Sequence, residues 1–178
     1  MMVSDRIDAV THPEPQSLTE LRDRAAADPD EAVRWAAAQA QTVGRDPKTL
    51  GWLLDRAAND RDPAVRRVAL RAVAEGWRED PRTPAWLRHR AVNDPHEDVR
   101  WETMQAVARG LPRDPRTLPL LHDRAVNDPH WAVRWRAVQA VADGWPDDPQ
   151  TLPLLHDRAA NDSNPTVRQT AKGSGARR

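Results

Sequence analysis

The 178 residues carry 27 basic and 27 acidic side chains, so no overall field draws the chain onto nucleic acid or an anionic membrane. It has no Cys, which excludes disulfides, thiolate chemistry and thiolate metal sites, and its aromatic content is lopsided, with eight Trp and neither Tyr nor Phe. No apolar run approaches the roughly 18 residues of a membrane span, and MMVSDRIDAVTHPEP lacks the apolar core of a signal peptide. A cytoplasmic protein without membrane attachment is expected.

In chain order, residues 1–16, with SDRIDAV at 4–10, read as an N-terminal capping segment. One unit is then copied along the chain. The Arg of "DRA" recurs as Arg24, Arg56, Arg90, Arg124 and Arg158, spaced by 32, 34, 34 and 34 residues. The Arg of "VR" recurs at the same intervals as Arg34, Arg66, Arg100, Arg134 and Arg168. The repeats therefore fall at about 17–46, 47–80, 81–114 and 115–148, with a partial fifth at 149–171. The tail 172–178 follows, and AKGSGARR reads as breaking the last helix early.

Each unit divides into two predicted helices. The first opens at Ser17, Thr49, Thr83, Thr117 or Thr151, hydroxyls suited to an N-cap, and SLTE (17–20) has capping-box spacing. Pro119 and Pro153 stand just inside, where a missing N–H costs little. Apolar residues such as Leu50, Leu53 and Ala57, or Leu118, Leu121 and Ala125, then form a stripe of period 3.6.

The second helix follows an Asn-Asp or Asp-Pro turn. Asp28 with Glu31 and Asp94 with Glu97 have capping-box spacing, and Pro29, Pro95 and Pro129 suit the first helical position. Its apolar set is Val65, Val68, Ala69, Ala72 and Val73, repeated as Val133, Ala137, Ala140 and Val141. Gly44, Gly76, Gly110 and Gly144 are expected as C′ residues, with Trp77, Leu111 and Trp145 giving the apolar contact of a Schellman turn. No segment alternates with period 2. Neither helix can bury its stripe alone but stacked pairs can, so the predicted fold is all-α, a right-handed α-solenoid of helical hairpins.

The second helix reads D-P-x-V-R-x-x-A-x-x-A, as in DPAVRRVALRA (62–72), with an Asp six residues before each Arg: Asp28, Asp60, Asp94, Asp128 and Asp162. Over roughly 17–171 this resembles the HEAT repeat, particularly the short bacterial form found in phycobilin-lyase-like proteins. The unit is shorter than the usual 40 or so residues. Tetratricopeptide repeats share the 34-residue period but need Tyr and Phe; leucine-rich-variant repeats share the wording but are shorter. The resemblance implies that Asp and Arg of neighbouring repeats hydrogen-bond into an internal ladder. It also implies a non-enzymatic scaffold, expected to be monomeric, that binds a protein or peptide along a concave face lined by the second helices.

On a helical wheel, the positions 1, 5 and 9 residues after the "VR" Arg lie opposite the apolar arc. The first reads Trp35, Arg67, Trp101, Trp135 and Gln169; the next reads Gln39, Arg71, Gln105 and Gln139. Trp35, Gln39, Arg67, Arg71, Trp101, Gln105, Trp135 and Gln139 are the candidate partner-binding residues, since exposed Trp is a favoured interface anchor. The other reading of these Trp is packing between adjacent second helices. Trp52 and Trp86 read as core or partly exposed packing, Trp77 and Trp145 as helix-end contacts, and Trp131 as the rim of a site.

Metal and cofactor are expected to be absent. His122 and His156, like His96 and His130, are equivalent residues on helices about 8–10 Å apart, whereas zinc needs nitrogens at about 2.0–2.1 Å. Iron-binding deoxyhypusine hydroxylases of HEAT type use several His-Glu dipeptides; this chain has one, His96-Glu97. Ser4, Ser17, Ser163 and Ser174 lie near caps, turns or termini, so no nucleophile stands out and no catalytic residue is expected. HEAT-like DNA glycosylases use a basic cleft, but here Arg67, Arg71, Arg109 and Arg136 are mixed with Glu75, Glu102 and Asp143, so nucleic acid is not the expected partner. The alternatives are a nucleic-acid-binding or processing protein, or a designed or architectural array without a ligand.

Overall fold

The computed structural model describes residues 28–30, 34 and 47–176. The expectations for 1–16, Ser17, Glu20, Glu31, Trp35, Gln39 and Gly44 lie outside these residues. The chain divides into two units, Met1–Thr83 and Pro84–Arg178. Among the described residues the regular structure is helical, and no helix is long and apolar enough to cross a membrane.

In the first unit, α1 (Pro47–Asn59) and α2 (Pro63–Gly76) pack as a hairpin around Leu50, Leu53, Ala57, Val65, Ala69 and Val73. The second unit holds α3 (Thr83–Asn93), whose first residue closes the first unit, and then α4 (Glu97–Gly110), α5 (Thr117–Asn127), α6 (Trp131–Gly144), α7 (Thr151–Asn161) and α8 (Pro165–Gly175). There α5 packs on α6 and α7 on α8, while successive second helices pack as α4 on α6 and α6 on α8. One core runs through these elements, from Ala91 and Met104 through Leu121, Val133, Ala137 and Val141 to Leu155, Val167 and Ala171. Ala and Val dominate it because small side chains let stacked helices approach closely. The predicted stripes are buried except for Val68 and Leu118, which are half-buried.

The "VR" arginines close a ladder between repeats. Arg100 donates from Nε and Nη2 to the two carboxylate oxygens of Asp128, both at 2.9 Å, and Arg134 does the same to Asp162, again at 2.9 Å. In the first unit Arg34 Nε meets Asp60 at 3.0 Å. The remaining nitrogen, Nη1, turns back to the carbonyl of the Asp six residues earlier. It reaches Asp94 from Arg100 at 2.9 Å, Asp128 from Arg134 at 3.0 Å and Asp162 from Arg168 at 2.7 Å. Each Asp carboxylate also accepts the backbone N–H two residues on, as Asp128 does from His130 at 2.9 Å, which shapes the hairpin turn. The "DRA" arginine adds a second cation: Arg124 Nη1 lies 3.7 Å from Asp128, and Arg158 Nη1 lies 3.6 Å from Asp162.

This use of the Asp corrects the expected helix ends. Asp94 does not cap α4. His96 does, its Nδ1 accepting from the Asp98 N–H at 3.2 Å, so Pro95 and Pro129 precede their helices while Pro63 and Pro165 take the first turn. Asp62 and Asn164 cap α2 and α8. Thr117 and Thr151 are first helical residues, and their hydroxyls donate to the carbonyls of Leu111 and Trp145 at 2.7 Å. Asp114 and Asp148 have already formed the turn by accepting from the N–H of Arg116 and Gln150. Thr83 likewise opens α3, and Thr49 lies inside α1.

No described Gly has positive φ, so the Schellman ending is also corrected. Gly76, Gly110 and Gly144 are last helical residues, and Trp77, Leu111 and Trp145 stop the helices in an extended-to-bridge conformation, with φ between −127° and −133°. Their N–H groups still bond to the carbonyls of Val73, Val107 and Val141. The last helix, α8, is shorter than α6 but continues through Gly175, beyond the break expected at 171.

Removing one ladder partner leaves a buried charge, and Asp128→Ala also removes the turn acceptor. It is expected to cost about 3–5 kcal/mol in urea unfolding, with Arg100→Met/Asp128→Leu recovering part of the loss.

The Asp162 carboxyl is pulled in two directions. Burial raises its pKa, but the Arg134 guanidinium and the Asn164 N–H outweigh that and hold it below its ordinary value. A carboxylate whose pKa is lowered by folding stabilises the fold above its unfolded value, about 3.9, and loses that contribution as pH falls through the folded value. Asp162→Asn should therefore be less stable than the parent at pH 7, with the gap narrowing below about pH 4.

Candidate partner-binding face

The exposed sides of the second helices were expected to carry the site. In the second unit Trp101 and Gln105 stand on α4, and Trp135 and Gln139 on α6. All four are half-buried, whereas the wheel placed them on the open side. Arg109 and Asp143, one turn further along, are exposed. For Trp101, Gln105 and Trp135, half-burial goes with contacts to the adjoining helix. Trp135 packs against the core and donates its indole N–H to Thr170 Oγ1 on α8 at 3.0 Å. Trp101 also packs against the core, and the Arg136 guanidinium of α6 lies over its ring, 5.7 Å from the centroid.

Arg136 is the hub of the patch. Its Nη1 donates to Gln139 Oε1 at 3.4 Å. With its amide turned as the surrounding donors dictate, Gln105 Oε1 accepts from Arg136 Nη2 and from Arg109 Nη2, both at 3.1 Å. Burial and the neighbouring Arg109 push the Arg136 guanidinium below its ordinary pKa, while Asp143 and Glu102 pull it back.

The structure thus brings together four of the eight candidate residues, Trp101, Gln105, Trp135 and Gln139. Arg67, half-buried, and Arg71, exposed, belong to the first unit, and Trp35 and Gln39 lie outside the described residues. The sequence reading counted Arg136 only as one charge on the stripe. Its signal was its place directly after Trp135, which carries it over the residue one repeat back.

The other singled-out residues divide. Trp52, Trp86 and Trp145 are half-buried and Trp77 is buried, while Trp131 is 40% exposed beside the ring of His130. His96 Nδ1 and His130 Nε2 each lie 3.9 Å from the Glu97 carboxylate. Glu97's own backbone N–H lowers its pKa first, and the two imidazoles lower it further. Burial pushes the His122 imidazole below its ordinary value, against the pull of Asp148. Among the described residues no group of three or more His, Asp or Glu is placed to hold a metal ion.

Hairpins stacked on their second helices, with an Asp–Arg pair at each junction described within a unit, define an α-solenoid. The family model of HEAT repeats matches residues 18–108 and 85–174, and the chain belongs to that family. It is similar in fold to the X-ray structure of YibA from Escherichia coli, with a TM-score of 0.69 and 18% identity over 98% of this chain and 70% of that one. No curated protein matches it.

Thr170→Val keeps the side-chain shape and removes the hydroxyl that accepts the Trp135 indole N–H. The loss of that bond is expected to lower stability by about 1 kcal/mol in urea unfolding.

Proposed function

We propose that the protein is a non-enzymatic scaffold that binds a protein or peptide partner along the face of its second helices. The observation that carries this reading is the patch of Trp101, Gln105, Arg136 and Gln139, where aromatic, amide and guanidinium groups share one partly open surface. Trp and Arg are the side chains that most often dominate interface energetics, and Gln can both donate to and accept from a peptide backbone. HEAT membership supports the reading, since helical repeats commonly mediate protein contacts. Trp35, Gln39, Arg67 and Arg71, at the equivalent positions of the earlier repeats, are kept as candidate contacts on sequence position alone. We take the protein to act as a cytoplasmic monomer and the array to span residues 17–171.

The mixed charge of the patch favours a protein over nucleic acid. Glu102 and Asp143 oppose Arg136 and Arg109, so little net field remains to release counterions from a phosphate backbone.

Affinity capture from cell lysate, with and without nuclease, should compare the parent with Trp101→Ala/Trp135→Ala after circular dichroism has established that the variant folds. A nuclease-resistant partner retained by the parent and lost by the folded variant is expected. Identical capture by both, or capture abolished by nuclease, would overturn the reading.

A further inference from the structure

Elsewhere in the second unit, buried and half-buried guanidiniums are neutralised. Arg88, Arg90, Arg100, Arg124, Arg134 and Arg158 each form an ion pair with an Asp. Arg136 does not, and the other half-buried exception, Arg168, lies in the last helix and donates to the carbonyls of Asp162 and Ser163. Among the described residues the hydrogen-bond and ring partners of Arg136 are neutral: the Trp101 ring, the Gln139 amide at 3.4 Å and the Gln105 amide oxygen at 3.1 Å. Its Nε is buried without a hydrogen-bond partner. Arg109, also without an ion pair, converges on the same Gln105 oxygen at 3.1 Å.

Two like charges drawn to one neutral acceptor form an arrangement that an anion would relieve. A guanidinium fork matches a carboxylate with two parallel hydrogen bonds, stronger than those to an amide oxygen. A second observation limits the size of that anion. The buried Glu102 and the exposed Asp143 both act on Arg136, so a polyanion spread over the patch would be opposed by two carboxylates, whereas a single carboxylate need meet only Arg109 and Arg136. Arg109 is exposed and Arg136 half-buried.

We propose that Arg136 and Arg109 form a clasp for a single glutamate or aspartate side chain of an extended peptide partner. The Trp101 ring backs the Arg136 guanidinium, Gln105 releases one donor from each arginine to the incoming carboxylate, and Gln139 is left to meet the peptide backbone. This rests on the proposed function and names the chemistry of the partner.

The test uses the full chain as bait for a random dodecapeptide display library. Selected peptides are resynthesised with each acidic residue changed to its amide and measured by fluorescence polarisation against the parent, Arg109→Gln, Arg136→Gln, Arg136→Lys and Trp101→Ala/Trp135→Ala. The expected result is one acidic residue whose neutralisation weakens binding at least about tenfold. Arg136→Gln or Arg109→Gln should weaken the acidic peptide equally while leaving the neutralised one unchanged, and Arg136→Lys should restore part of the affinity. Arg109 is exposed, so its variant keeps the test valid if Arg136→Gln unfolds.

Peptides that need the Trp residues but bind equally well when neutralised would overturn the clasp and leave the scaffold reading standing. Enrichment of no peptide, or of peptides indifferent to both Trp and Arg variants, would overturn both. Arginine-dependent binding of a fluorescein-labelled single-stranded oligonucleotide more tightly than any selected peptide would also overturn the clasp, in favour of phosphate.

Discussion

The structure depends on a carboxylate that serves two neighbours at once. Asp128 closes the turn of its own hairpin by accepting the His130 N–H, and it receives the guanidinium of Arg100 from the repeat before; Asp162 does the same for Asn164 and Arg134. Local conformation and repeat stacking are therefore coupled through one side chain. Burying a carboxylate alone would be costly, and the cost is offset here by two guanidiniums, one from the preceding "VR" and one from the "DRA" of its own unit. The partnership also raises the pKa values of Arg100 and Arg134, chiefly through the hydrogen bonds to Asp128 and Asp162. The copied words of the sequence are the parts of this junction.

Because each junction is complete in itself, the core between junctions can be simple. Ala137, Ala140, Val133 and Val141 are small enough for α6 to lie between α4 and α8, and the larger Leu121 and Leu155 come from the first helices. This division of labour suits a repeat whose units contact only their neighbours. Length is then set by the number of junctions and not by the growth of a single core.

Much of the fold was legible because periodicity depends on burial, which repeats faithfully. The apolar stripes and the two helices per unit follow from spacing alone, and the ladder followed from the HEAT resemblance. The helix ends were read less well because Asp, Thr and Gly have more than one local use. Asp94 has capping-box spacing with Glu97, yet its carboxylate is engaged in a turn two residues earlier, so His96 caps instead. Thr117 fits an N-cap by type, but Asp114 has already supplied the turn and the hydroxyl is free to donate backwards. Gly110 stands where a left-handed cap is common, yet Leu111 ends the helix without one. The candidate face was legible only as a direction. A wheel treats one helix at a time, and the half-burial of Trp101 and Trp135 is produced by the helix alongside.

The same neighbour effect explains why the face carries chemical individuality when the junctions do not. A junction arginine is surrounded by groups that every repeat supplies. Position 2 after the "VR" Arg is not so constrained: it is Val68, Glu102, Arg136 and Thr170 in successive repeats. In Arg136 and Thr170 its side chain meets the Trp one position after the "VR" Arg of the preceding repeat, each with a different group. Arg136 sits over Trp101 because position 2 of one repeat adjoins position 1 of the repeat before, and Thr170 by the same adjacency meets the indole N–H of Trp135. Variation confined to adjoining positions on successive second helices thus creates pairwise environments without disturbing the ladder beneath. A repeated scaffold chemistry and a particular surface can therefore coexist in so short a repeat.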